Sequence, residues 1–128
     1  MTTKSITHED LGFDPDLASK LQQLSLESFS EESRLSFPQS IVWYTETDDG
    51  EIVSMVLDVN RNDCHILYNV CTHPRYRCQG FMTRLLLVVT DNRTHQYFAK
   101  PADEYAAAFY TKLGFKLTDT GYYHLTSF

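Results

Sequence analysis

The stretch Arg77-Cys78-Gln79-Gly80-Phe81-Met82 stands between a strand-like run, Cys64 to Cys71, and a helix-like run, Phe81 to Val89. A chain that leaves a strand, turns on a glycine and enters a helix presents several unpaired backbone N–H groups at one point. Those donors and the positive end of the helix suit a phosphate. The chemistry expected at this loop is therefore the holding of a phosphorylated cofactor. Three cysteines, Cys64, Cys71 and Cys78, recur every seven residues. This spacing lacks the close Cys pairs of a metal site, so no metal is expected. An odd thiol points instead to a reducing, cytoplasmic location.

The elements that must position the loop read in order as helix, strands, helix, strand, helix, strands. Asp14-Pro15 is a helix start, with Asp as N-cap and Pro at the first helical position. Leu17, Leu21, Leu24 and Phe29 follow at helical spacing, and Glu31 to Leu35 reads as a second short helix ended by Pro38. Ile41 to Glu46 and Glu51 to Leu57 are strand-like, and Thr47-Asp-Asp-Gly between them is a hairpin turn. Arg61-Asn62-Asp63 is a second turn, so three strands make an antiparallel meander. Ile52 to Leu57 is apolar on both faces but for Ser54, which predicts a central strand covered on each side.

Leu85, Leu86, Val88 and Val89 mark one side of the helix after the loop. His95 to Phe98 reads as a short strand, and a strand–helix–strand crossover makes it parallel to Cys64 to Cys71. Pro101 to Leu113 reads as a helix with Asp103 and Glu104 in its first turn and Gly114 at its C-cap. Phe115 to Thr118 and Tyr122 to Leu125 form a closing hairpin near Gly121. The expected class is α/β of mixed α+β character: one domain over residues 1–128, with a central, mixed, mostly antiparallel sheet flanked by helices.

With 128 residues, 42% of them hydrophobic, the chain can fill one core. A net charge of −6 argues against nucleic acid, which needs a basic face, and is compatible with cationic acceptors. Met1 to Asp10 is polar and shows no secretory signal. The longest aliphatic run, Leu85 to Val89, is too short to span a bilayer, so no membrane is expected as a partner.

Two segments together resemble a known family. One is Asn69-Val-Cys-Thr-His-Pro-Arg-Tyr-Arg-Cys-Gln-Gly-Phe-Met-Thr-Arg-Leu-Leu, the other Ala106-Ala-Ala-Phe-Tyr-Thr-Lys-Leu-Gly-Phe. They are similar to the fourth strand, pyrophosphate loop and third helix, and to the Tyr…Gly-Phe signature, of the GCN5-related N-acetyltransferase (GNAT) superfamily. Met82 departs from the family, which keeps a small residue there, and Asp103 stands where many members have Asn. The family's first strand has only Ser5 to Leu11 as candidates.

The resemblance implies acetyl-coenzyme A as the acetyl donor and splayed fourth and fifth strands. The pyrophosphate would lie on the N–H groups of Arg77, Cys78, Gln79, Gly80, Phe81, Met82 and Thr83, with Arg75, Arg77 and Arg84 adding positive charge. The pantetheine arm would pair with Val70, Cys71 and Thr72, and Asp103 would join the cofactor site. A backbone N–H near Cys71 would hold the oxyanion, and Tyr110 would protonate the departing thiolate. For the base the resemblance offers His65, Asp63 or a chain of waters. A strand-surface histidine is an equal reading of His65, and a core aromatic is the plain reading of Tyr110. The acceptor implied is a primary amine on a small molecule, a polyamine or a peptide, with a homodimer as a frequent assembly. The alternative is a non-catalytic coenzyme A sensor or interaction module of the same fold.

Overall fold

The computed structural model describes residues 1–28, 40–62, 64–91, 95–101 and 103–126. The short helix expected over Glu31 to Leu35, and with it Phe29, Pro38 and Asp63, lies outside them. Strands β1 (Thr2–Thr7), β2 (Ser40–Glu46), β3 (Ile52–Arg61), β4 (Cys64–Thr72), β5 (Gln96–Ala99), β6 (Lys116–Leu117) and β7 (Tyr123–Thr126) form one sheet in the order β1-β2-β3-β4-β5-β7-β6. Helices α1 (His8–Leu11), α2 (Pro15–Ser28), α3 (Phe81–Val89) and α4 (Glu104–Lys112) accompany it. All pairings are antiparallel except β4 with β5, the pair joined by the α3 crossover.

Local chemistry explains the element ends. Asp14 Oδ1 accepts from the Leu17 N–H at 3.1 Å and starts α2. Gly50 at φ 82° closes the β2–β3 hairpin, where the Thr47 N–H donates to the Glu51 carbonyl at 2.9 Å. Most strand bounds shift by one to a few residues from the sequence expectation, and two shifts have a visible local cause. The first strand spans Thr2–Thr7, because the Thr7 hydroxyl accepts from the Asp10 N–H at 3.2 Å and turns His8–Leu11 into a helix. Helix α4 starts at Glu104 rather than Pro101. Asp103 has extended backbone, and its Oδ1 accepts from the Ala106 N–H at 2.9 Å, so it caps the helix instead of lying in its first turn.

The sheet separates two cores. Leu17, Leu21 and Leu24 of α2 pack with Val42, Leu57 and Cys71 on one face. Leu85, Leu86 and Val89 of α3 and Tyr110 of α4 pack with Val56, Leu67 and Tyr97 on the other. Strand β3 is buried without interruption over residues 52–59, as a strand covered on both faces must be.

Candidate functional site

Strands β4 and β5 pair from Cys64↔Gln96 to Leu67↔Ala99 and no further, although β4 runs on to Thr72. Residues 68–72 therefore have no β5 partner. A bulge accompanies the divergence: Leu57 pairs with Tyr68 and Met55 with Cys71, so Asn69 and Val70 both oppose Val56. Asn69 makes this possible by taking φ 53°, a conformation that Asn tolerates better than most residues. The extra residue also resets the alternation of faces. Leu67 packs on the α3/α4 side and Tyr68 on the α2 side; after the bulge Val70 faces α3/α4 and Cys71 faces α2.

The divergence leaves a cleft of about 110 Å³. Its lining comes from Leu67, Tyr68, Asn69 and Val70 of β4, from Ala106 and Tyr110 of α4, and from Lys100 and Tyr122. A strand that runs on past its neighbour beside a cleft can serve as a template for an extended, amide-bearing ligand. Tyr110 is only 2% exposed, with the rings of Phe115 and Tyr123 at 5.2 and 6.1 Å. Burial pushes its phenol far above the ordinary tyrosine value. A group in that state keeps its proton at neutral pH and can act as a hydrogen-bond and proton donor to negative charge that develops beside it. The bend after α4 fixes its place: the Phe115 N–H donates to the Tyr110 carbonyl at 3.0 Å, with Gly114 at φ 99°.

The loop between β4 and α3 begins as a short 3-10 turn, Pro74–Tyr76, capped by His73 Nδ1, which accepts from the Arg75 N–H at 3.2 Å. Cys78 and Gly80 then take φ 61° and φ 81°. Gly80 is the N-cap of α3, and no side chain caps the helix there. The first-turn N–H groups of Phe81, Met82 and Thr83 thus keep the donor capacity that an anion would use. A Cβ on Gly80 would stand 3.2 Å from Arg84 Nη1. Arg84 lies over the Phe81 ring at 4.7 Å and donates to the Gln79 carbonyl at 3.4 Å. Arg77 Nε donates to the Thr72 carbonyl at 3.2 Å, tying the loop to the end of β4. Gln79 donates to the Arg75 carbonyl, and Arg75 itself lies 3.6 Å from Glu51. Met82 is half-buried and packs against the α3/α4 core.

The remaining expected residues separate from this cleft. Asp103 spends a carboxylate oxygen on the α4 cap. His65 does not line the cleft. It sits in the part of β4 that still pairs with β5, opposite Tyr97. Its Nδ1 is 2.7 Å from Asp58 Oδ1, its ring stacks on His95 at 4.4 Å, and its Nε2 is buried without a hydrogen-bond partner among the described residues. Cys71 is buried in the α2-side core, whereas Cys78 is exposed on the loop.

Sequence reasoning missed Asp58, Asn69 and Lys100; of the aromatics Trp43, Tyr44, Tyr68, Tyr122 and Tyr123 it reads most as core and does not say which line a pocket, and Tyr68 and Tyr122 line the cleft. Asp58 does carry a signal, an acid in a strand otherwise apolar. Asn69 carries another, a residue tolerant of positive φ inside a strand. Among the described residues, no group of three or more His, Cys, Asp or Glu side chains converges as metal ligands, and no helix is long and apolar enough to cross a membrane.

The sequence profile of the acetyltransferase (GNAT) domain matches residues 38–117. Comparison with curated proteins finds no match. Among solved structures, an aminoglycoside 6'-N-acetyltransferase complexed with coenzyme A superposes with a TM-score of 0.80 at 15% identity, over 100% of this chain and 98% of that one. An acyl-CoA N-acyltransferase from Pseudomonas aeruginosa gives 0.73 at 15% identity, over 96% of each chain. The ribosomal-protein-S18-alanine N-acetyltransferase from Escherichia coli gives 0.70 at 17%, over 96% of this chain and 88% of that one. At such identities the likeness establishes the fold.

Proposed function

Because the chain belongs to the acetyltransferase (GNAT) domain family, we propose that it moves an acetyl group from acetyl-coenzyme A to a primary amine by direct attack in a ternary complex. The observation that carries this reading is the meeting, in one cleft, of the β4 residues beyond the end of the β5 pairing and the buried phenol of Tyr110. The pantetheine arm would lie along Val70, Cys71 and Thr72 and hydrogen-bond to that segment. The pyrophosphate would rest on residues 77–83, where the α3 N-terminus has no side-chain cap. Arg77 and Arg84, both exposed, would supply charge beside it.

The amine nitrogen attacks the thioester carbonyl carbon, and a C–N bond forms. A backbone N–H near Cys71 would hold the oxyanion. The C–S bond then breaks, and the thiolate takes the Tyr110 proton, which solvent replaces. The ammonium proton leaves to water. The seating of His65 favours this route over a histidine base, because Nε2 is sealed under His95 and Tyr97. The acceptor class is an amine on a small molecule, a polyamine or a peptide. A homodimer is the proposed assembly, testable by light scattering.

The test is a thermal-shift titration with acetyl-coenzyme A, followed by release of free thiol over an amine panel. Ligand at a hundred times Kd should stabilise the fold by about 2.7 kcal/mol. Turnover with one amine class supports the transferase. Stabilisation without turnover on any amine would instead support a coenzyme A sensor, and no stabilisation would overturn both.

A further inference from the structure

The β4 bulge is held from outside the sheet. Asn69 Nδ2 donates to Ser25 Oγ at 3.0 Å, and Ser25, on α2, is fully buried. Asn69 is also the residue whose positive φ creates the bulge, and it lines the cleft beside Val70 and Tyr110. We propose that Ser25 and Asn69 are positioning residues, through which α2 sets the backbone of β4 and thereby the register of Val70 and Cys71 beyond the β5 pairing. The assignment of that segment to coenzyme A rests on the function proposed above; the mechanical link does not.

A left-handed residue inside a strand is strained for most side chains, and the neighbouring structure must over-determine it. The amide of Asn69 supplies that constraint by reaching a buried acceptor on a different element. The consequence is large relative to the cause, because one inserted residue exchanges the faces of everything after it. A regular strand would put Val70 on the α2 side with Tyr68, and its edge groups would no longer face the cleft in the same register.

Two measurements test this. The first needs no ligand: amide hydrogen exchange over residues 68–71 in the wild type, Ser25→Ala, Asn69→Gly and Asn69→Val. Ser25→Ala should speed exchange there at least tenfold. Asn69→Gly, which permits positive φ but cannot make the bond, should behave like Ser25→Ala, and the double variant should be no worse than either alone. Asn69→Val should show the largest change. The second is the coenzyme A dissociation constant of each folded variant, measured well below its melting temperature. It should rise several-fold in the order Ser25→Ala, then Asn69→Val. Leu17→Ala, a core truncation elsewhere on α2, is the control. It should lower the melting temperature while leaving both the exchange at 68–71 and the dissociation constant near wild type. Unchanged exchange in Ser25→Ala overturns the proposal. Equal responses in Ser25→Ala and Leu17→Ala overturn it as well, since they reduce the bond to general stability. If the wild type binds no coenzyme A, the transferase reading fails, and the exchange data alone still decide the positioning role.

Discussion

Asp58 Oδ1 lies 2.7 Å from His65 Nδ1, and both side chains are buried on the α3/α4 side of the sheet, where β4 and β5 still pair. Burial raises the Asp58 carboxyl above its usual range, and the His65 hydrogen bond and charge oppose that rise without cancelling it. The native state therefore holds a proton that the unfolded chain has already released. For this group, stability is full below the ordinary carboxylate value of about 4 and is lost as pH rises through the folded value. Asp58→Asn keeps an oxygen for His65 and removes the titration. The stability of wild type minus that of Asp58→Asn, from urea unfolding between pH 4 and 7, should fall as pH rises. A flat difference would mean that Asp58 does not carry this linkage.

The same geometry makes a prediction about His65. With Nε2 sealed, His65→Gln should keep thiol release within about threefold of wild type, whereas loss of a working general base costs about 10²–10⁴-fold. A drop of that larger size, with the variant folded, would reinstate His65 as the base.

Tyr110→Phe removes one hydroxyl from the cleft and keeps the ring against Phe115 and Tyr123. If the hydroxyl protonates the thiolate, kcat should fall by about 100-fold. The KM for acetyl-coenzyme A should stay within a few-fold. A variant with full turnover would leave Tyr110 as a core aromatic.

Gly80→Ala places a Cβ 3.2 Å from Arg84 Nη1 at φ 81°. Left-handed backbone costs a non-glycine residue about 1–2 kcal/mol. The displaced loop should weaken coenzyme A binding by about tenfold, equal to ~1.4 kcal/mol, in calorimetric titration. Unaltered affinity would move the phosphate site away from this turn.

Met82 stands where the resemblance implies a small residue, and its contacts say what truncation will do. The side chain packs against the α3/α4 core. Met82→Gly should therefore lower the unfolding free energy by about 1–3 kcal/mol, through lost packing and helix propensity. Coenzyme A affinity should not improve. Much tighter binding would show that Met82 obstructs the cofactor.

Much of the frame was legible in the chain because its signals are local. Phe81–Val89 was readable as a helix to the residue, since a glycine precedes a run of apolar side chains with one-sided spacing. Asp14-Pro15 and the Thr47-Asp-Asp-Gly turn are likewise short-range devices, satisfied by partners a few residues away. The parallel β4–β5 pair followed from the crossover alone. The first strand was harder, because an exposed edge strand such as Thr2–Thr7 has little burial pattern to betray it. Asp103 was misplaced by one turn because an acid at a cap and an acid in a first turn look alike until the backbone angle is known.

What the sequence by itself determined is the order of elements from α2 onward, the turn glycine of the β4–α3 loop and the candidacy of Tyr110. The tertiary structure decided which of those residues meet. It placed His65 against Asp58 instead of in the cleft, packed Met82 against the core, and tied Asn69 to Ser25 across 44 positions of chain. The reason is physical. Strand faces and register depend on the whole ladder, and a single left-handed residue in β4 reassigns every side chain beyond it.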